Sequence, residues 1–219
     1  MGLMDKINQQ AEEYGTSAGG KPDMFDFDRP GLYRLRLLTE PEVLATHFFG
    51  KGSPSHVCYG KDKGCKFHDA GAPKDEKGNP KRPSIKLVCY VIDREHPDKG
   101  VQLAELPLSL SYALNDLEAD PDFEFSEYPM PYDVKINHDP DNKDPKAKYR
   151  LTPSPKREVL TDEESAALAD RLGKMTPAGY VEKRKRKQME KDGMIAPPAE
   201  ANYEDVPYPQ EDLGEGPDF

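Results

Sequence analysis

The chain has 219 residues and a formal net charge of −10, with 35% hydrophobic residues, 33% charged residues and 22 prolines. So polar a composition excludes one apolar core running the whole length, and substantial loop or disordered stretches are expected. No apolar run approaches the ~20 residues that a membrane span needs. Residues 1–6 lack the apolar stretch of a signal peptide, and Lys6 breaks the acylation pattern that could follow Gly2. An intracellular protein with reduced thiols and no membrane partner is therefore expected.

Residues 1–24 read as a flexible arm: a weak helix over 5–14, then the joint Gly15-Thr16-Ser17-Ala18-Gly19-Gly20. Residues 25–157 read as the core. Its first strand, over 32–38, alternates apolar and basic residues and places Arg34 and Arg36 on one face. A partner strand over 43–49 leads into a Cys/His-rich loop at 45–70, and a Gly/Pro/Lys-rich loop follows at 69–84. Residues 85–93 form the strongest strand pattern, with a hairpin mate over 100–108. A short helix over 109–117 and strands over 132–137 and 148–152 complete the core. Short strands without strand–helix alternation predict a small antiparallel barrel or sandwich. Residues 158–193 read as helical. Thr161 to Glu164 is a capping box, and Pro177 opens a second helix that stops at Gly193. Residues 194–219 read as a disordered acidic tail, with seven acids and no base over 200–219.

His47, Cys58, Cys65 and His68 follow a His-x10-Cys-x6-Cys-x2-His spacing. Thiolate and imidazole donors suit Zn2+, and a closed set of four is structural rather than catalytic. His56 competes with His47 as first ligand. The alternatives are two buried thiols with surface histidines, or a Cys58–Cys65 disulfide. Cys89, inside an apolar run, reads as a small buried hydrophobe. Asp93 and Glu95 form a carboxylate pair at a strand end, without a third acid or histidine to build a catalytic centre, so a non-enzymatic protein is expected.

The net charge hides two basic islands. Residues 50–90 carry nine Lys/Arg against four Asp/Glu, and residues 134–157 carry seven against three. Between them, residues 105–133 carry eight acids and no base. Basic residues interleaved with aromatics suit single-stranded nucleic acid, because every base offers a face to stack on. The candidate contacts are Arg34, Arg36, Phe48, Lys51, Tyr59, Lys63, Lys66, Lys81, Arg82, Lys86, Tyr90, Lys135, Lys148 and Arg150. The run from Lys183 to Lys187 reads as a nucleic-acid patch, a localisation signal or a solvated helix face.

The order of these motifs is a strand ending in His47, then V-C-Y-G, C-K-F-H, L-V-C-Y-V-I-D-R-E, V-Q-L-A-E-L-P-L-S-L, Y-D-V-K-I and Y-R-L-T-P-S-P. Over residues 30–170 the chain resembles the single-stranded DNA-binding (helix-destabilising) proteins of tailed bacteriophages, the T-even type. The resemblance implies a mainly β fold with C-terminal helices: an OB-like antiparallel barrel with an inserted zinc-binding subdomain. It implies a protein that coats and protects single strands during phage DNA replication, recombination and repair, with self-association along the DNA. An acidic tail, here including Asp212, Glu215, Asp218 and Phe219, would recruit replication and recombination proteins. The chain departs from the family in having His68 where a third thiolate is usual, and in lacking the short Lys/Arg-Ser-Thr segment near the N-terminus. The other reading is a zinc-stabilised interaction or scaffold protein of a transcription or recombination complex, without direct DNA contact.

Overall fold

The computed structural model describes residues 23–49, 55–68, 73–74, 78, 80–123, 125, 127–144 and 147–196. Most of the N-terminal arm and of the acidic tail, including Asp212, Glu215, Asp218 and Phe219, lies outside the described residues, as does Lys51. The elements are β1 (Met24–Phe25), β2 (Gly31–Leu37), β3 (Glu42–His47), β4 (His56–Val57), β5 (Ser84–Asp93), β6 (Val101–Pro107), α1 (Ser109–Ala119), β7 (Tyr132–His138), β8 (Tyr149–Arg157), α2 (Asp162–Lys174) and α3 (Pro177–Lys191).

All eight strands belong to one sheet, ordered β1-β6-β5-β2-β7-β8, with β3 paired to β5 and β4 paired to β3. The sheet is open: among the described residues no pairing joins β1 or β6 to β8, so the expected closed barrel is not formed by strand pairing. The sheet is also mixed, because β1 runs parallel to β6. β2 and β3 follow one another along the same edge of β5. Leu37 pairs with Val91 and Glu42 with Val88, and Leu38 donates to the Tyr90 carbonyl between them. β8 runs further than the sequence pattern predicts, through Pro153 and Pro155. An edge strand tolerates both prolines, since donors on its outer side have no partner to lose.

From Leu87 to Ile92 β5 is apolar without a break because both of its faces are covered there. Leu87, Cys89 and Val91 pack with Tyr33, Leu35, Val134 and Ile136 and with Leu110, Leu114 and Leu117 of α1. The helical spacing of those three leucines puts them on one stripe. Val88, Tyr90 and Ile92 face the other way, against Leu103, Leu168 of α2 and Val181 of α3. Cys89 is a buried core thiol, as its apolar neighbours imply.

The helical segment is fastened at defined points. Thr161 and Glu164 complete the capping box of α2, and Thr176 caps α3 by accepting from the Gly179 N–H. The Tyr90 hydroxyl donates to the Met175 carbonyl at 2.7 Å, at the α2–α3 junction. Arg184 of α3 pairs with Glu105 of β6 at 2.7 Å, and Arg94 bridges Asp133 and Glu164. No described helix is long and apolar enough to cross a membrane.

The helices leave part of that sheet face bare. Arg34, Lys135 and Thr152 lie in cross-strand register over β2, β7 and β8, and Leu32, Asn137 and Arg150 form the next row. All six are exposed or half-exposed.

Candidate metal centre

The Cys/His loop is built on a short hairpin. β3 delivers His47 at its last position, and β4 returns beside it, pairing His47 with His56 and Thr46 with Val57. The Cys58 N–H donates to the Ala45 carbonyl, which fixes the first thiol at the hairpin's exit. A tight turn then brings Cys65 back, closed by Gly64 N–H to Lys61 and Cys65 N–H to Gly60. Gly60 and Gly64 take φ of +102° and +79° there, a region that side-chain-bearing residues rarely adopt. His68 follows one turn later, its N–H on the Cys65 carbonyl.

Four side chains converge as a result. The ligand atoms of His47, Cys58, Cys65 and His68 all lie within 4.8 Å of one another. Cys65 Sγ is 3.6 Å from His47 Nε2, and Cys58 Sγ is 2.8 Å from His68 Nε2. Metal bonds of about 2.3 Å to sulfur and about 2.0 Å to nitrogen place tetrahedral donors roughly 3.3–3.8 Å apart. The first pair already has that spacing, and the second needs a small outward shift. All three cysteines are free thiols, so no disulfide competes for the sulfurs.

The electrostatics also fit a cation. Burial holds the Cys58 thiol above its usual pKa, and neighbouring Cys65 adds to the effect. Burial likewise pushes His47 towards the neutral imidazole, reinforced by His68 and His56. A neutral imidazole is ligand-competent, and a bound cation supplies the charge that lets buried thiols ionise. The group can therefore hold a metal ion.

His56 is placed elsewhere. Its Nε2 lies 2.7 Å from Asp192 Oδ2, just past the end of α3, and the Tyr59 hydroxyl donates to the same oxygen at 2.9 Å. Lys66 approaches Oδ1 at 3.3 Å. Burial opposes charge on Asp192, but the bonds from His56, Tyr59 and Lys66 outweigh it and hold the carboxyl below its usual value. Burial and Asp192 together push Tyr59 up to about 12. Met189 packs on the same small cluster of Cys58, Tyr59 and Cys65. Asp192 thus locks the lobe to α3, a role invisible in the sequence because its partners lie more than a hundred residues away.

The remaining candidate contacts divide into three groups. Arg34, Lys135 and Arg150 are brought together on the bare sheet face, although Arg34 also pairs with Asp133 at 2.7 Å. Phe48, Lys63 and Lys66 are exposed on the lobe, where Lys66 lies over the Phe67 ring and the Phe49 and Phe67 rings meet edge to face at 4.7 Å. Lys81 and Arg82 are exposed at the start of β5, Lys148 is half-exposed, and Lys86 pairs with Glu105 at 2.7 Å.

Three candidates are corrected. Arg36 is 1% exposed and bonds Asp133 through Nε at 2.7 Å. Tyr59 and Tyr90 are buried, with their hydroxyls bonded to Asp192 and to the end of α2. Burial and internal partners leave none of the three free to meet a strand. The sequence pattern placed Arg34 and Arg36 on one face, but not the buried Asp133 beneath them. Asp93 is buried too, and its Oδ1 accepts from the Glu95 N–H at 2.9 Å, a turn-capping role. The run from Lys183 to Lys187 is split. Arg184 faces the sheet, Lys185 pairs with Glu182 and Arg186 with Glu190, and Lys183 and Lys187 face outward.

No family model, curated protein or solved structure matches the chain.

Proposed function

We propose that the protein binds single-stranded DNA with little sequence preference, and that the Cys/His lobe is a structural zinc centre. The observation that carries this reading is the row of cations on the bare sheet face, with Arg34 beside Lys135 and Arg150 on the next row. Cations in register along adjacent strands match the repeating charge of a phosphate backbone, and Asn137 and Thr152 add neutral hydrogen-bonding groups between them. Phe48, 51% exposed just past the end of β3, offers a stacking surface. The resemblance to phage helix-destabilising proteins points the same way. Zinc is the ion of choice because two thiols and two imidazoles in a closed set suit a tetrahedral, borderline-soft cation. In this reading the zinc folds the lobe and takes no part in chemistry. The acidic tail recruits replication and recombination proteins in this reading.

The competing reading is a zinc-stabilised interaction protein without DNA contact. It draws support from the engagement of Arg36, Arg94 and Arg184 in internal pairs, which leaves fewer cations for phosphate. Anisotropy titration of labelled oligo-dT at two salt concentrations separates the two. Binding should weaken steeply with salt and exceed binding to duplex of equal length. Replacing Arg34, Lys135 and Arg150 together by Gln should flatten the slope of log K against log salt by about 2, at roughly 0.7 per lost phosphate contact. Equal affinity for duplex, or an unchanged slope, overturns the proposal.

A further inference from the structure

The bare sheet face does not end at Arg34. Two residues further along the same face, roughly 7 Å on, stands Arg36, and beyond it opens a cavity of about 470 Å3 between the ends of β2 and β8 and the start of α2. Its apolar walls include Met130, Pro131 and Val159, and its polar lining is Arg36, Arg157, Glu158 and Ser165. Val159 is 92% exposed. A lone exposed valine is unremarkable in itself, but this one forms the rim of an apolar-walled cavity.

The cavity is pre-built. Arg36 Nη1 donates to the Met130 carbonyl at 3.3 Å and to the Glu158 carbonyl at 2.6 Å, so one buried guanidinium ties both lips together. The Glu158 N–H donates to the Pro131 carbonyl at 2.9 Å and closes the same gap.

We infer that this cavity receives a nucleobase of the strand whose phosphates run over Arg34, Lys135 and Arg150. The inference rests on the DNA-binding reading above and specifies a base subsite within it. Apolar walls suit the flat faces of a base, and the polar lining suits its edge. The Ser165 hydroxyl both donates and accepts, so it rejects no base outright. Oligo-dT therefore serves as a representative base-bearing probe. The site holds bases without aromatic stacking, consistent with Tyr33 and Tyr132 facing the core on the sheet's other side.

The chain contains no tryptophan, so Val159→Trp places a single indole reporter at the rim. The position is solvent-exposed, so the larger side chain displaces no core packing. Labelled oligo-dT and an abasic oligomer of equal length are titrated while anisotropy and indole emission are followed together. Indole emission should be quenched in step with oligo-dT binding and stay constant with the abasic strand. In a second variant, Val159→Asn should weaken oligo-dT binding about three- to fivefold and leave abasic binding unchanged. Anisotropy that reports binding while the indole stays silent, with Val159→Asn binding like the parent, overturns the base subsite and leaves DNA binding standing. No anisotropy change for the parent protein with any oligomer overturns the DNA-binding reading and the subsite with it.

Discussion

On one side of β5 the apolar cluster draws residues from β1, β2, β5, β6 and β7 and from α1, whereas the buried cluster of the Cys/His lobe is Cys58, Tyr59 and Cys65. The sheet spreads its stabilisation over many interchangeable apolar contacts. The lobe concentrates it on a few polar atoms: four convergent donors on one side and the Asp192 carboxylate on the other. A segment with so little apolar surface to bury needs a metal or a clamp to stay folded. The contrast teaches that the two regions should fail in different ways.

The largest effect expected is on the lobe's metal. Cys58→Ser should reduce bound zinc from about one per chain to near zero, because structural zinc sites contribute on the order of 10 kcal/mol to folding. Limited proteolysis should then cut within residues 55–68 while the sheet keeps its thermal transition. Ile136→Ala should do the reverse, costing the whole domain about 2–5 kcal/mol with metal content unchanged. Loss of the entire fold on metal removal would break the comparison.

A smaller effect separates the two supports of the lobe. Asp192→Asn should loosen the lobe from α3 by about 1–3 kcal/mol, seen as faster amide exchange over residues 56–66 and 188–194. Zinc should remain bound. His56→Ala should behave alike, whereas His47→Ala should lose the metal. Metal loss on removing His56 would move that residue into the ligand set.

The smallest effect tests α3's other anchor, away from the metal. Glu105 sits among Lys86, Tyr180 and Arg184; burial works against its charge, but these partners prevail and hold its pKa below the ordinary 4.5. A folded-state pKa below the unfolded one means the carboxylate stabilises fully above the unfolded value. That contribution is lost as pH falls through the lower folded value. Glu105→Gln should therefore cost about 1 kcal/mol at neutral pH, and thermal melts should show the gap to the parent closing in acid. A gap that widens in acid would refute this account of the anchor.

Much of the scaffold was legible. The strand at 85–93 announced itself because burial on both faces demands an unbroken apolar run. The capping box and Pro177 marked the two C-terminal helices. The Cys/His spacing located the four side chains that can hold a metal ion, since local turns with Gly60 and Gly64 bring them together. What stayed hidden depends on distant partners. Arg36 reads as a solvent-facing cation until Asp133 is placed under it, and Tyr90 as a stacking platform until α2 covers it. His56 competed with His47 on spacing alone, and only Asp192 decided between them. The parallel β1–β6 pair and the open sheet edge escaped because a two-residue strand leaves no periodicity to read.

β5 works as a shared ruler. β6 reads its register from one edge, while β2 and β3 read theirs in succession from the other. A one-residue slip on either edge would turn a set of core side chains outward, so each neighbour penalises errors made by the other. The hairpin that carries His47 and Cys58 hangs from the end of this ruled edge. The strand register therefore places that hairpin, and a bound ion would have to hold the loop from Cys58 to His68 closed upon it.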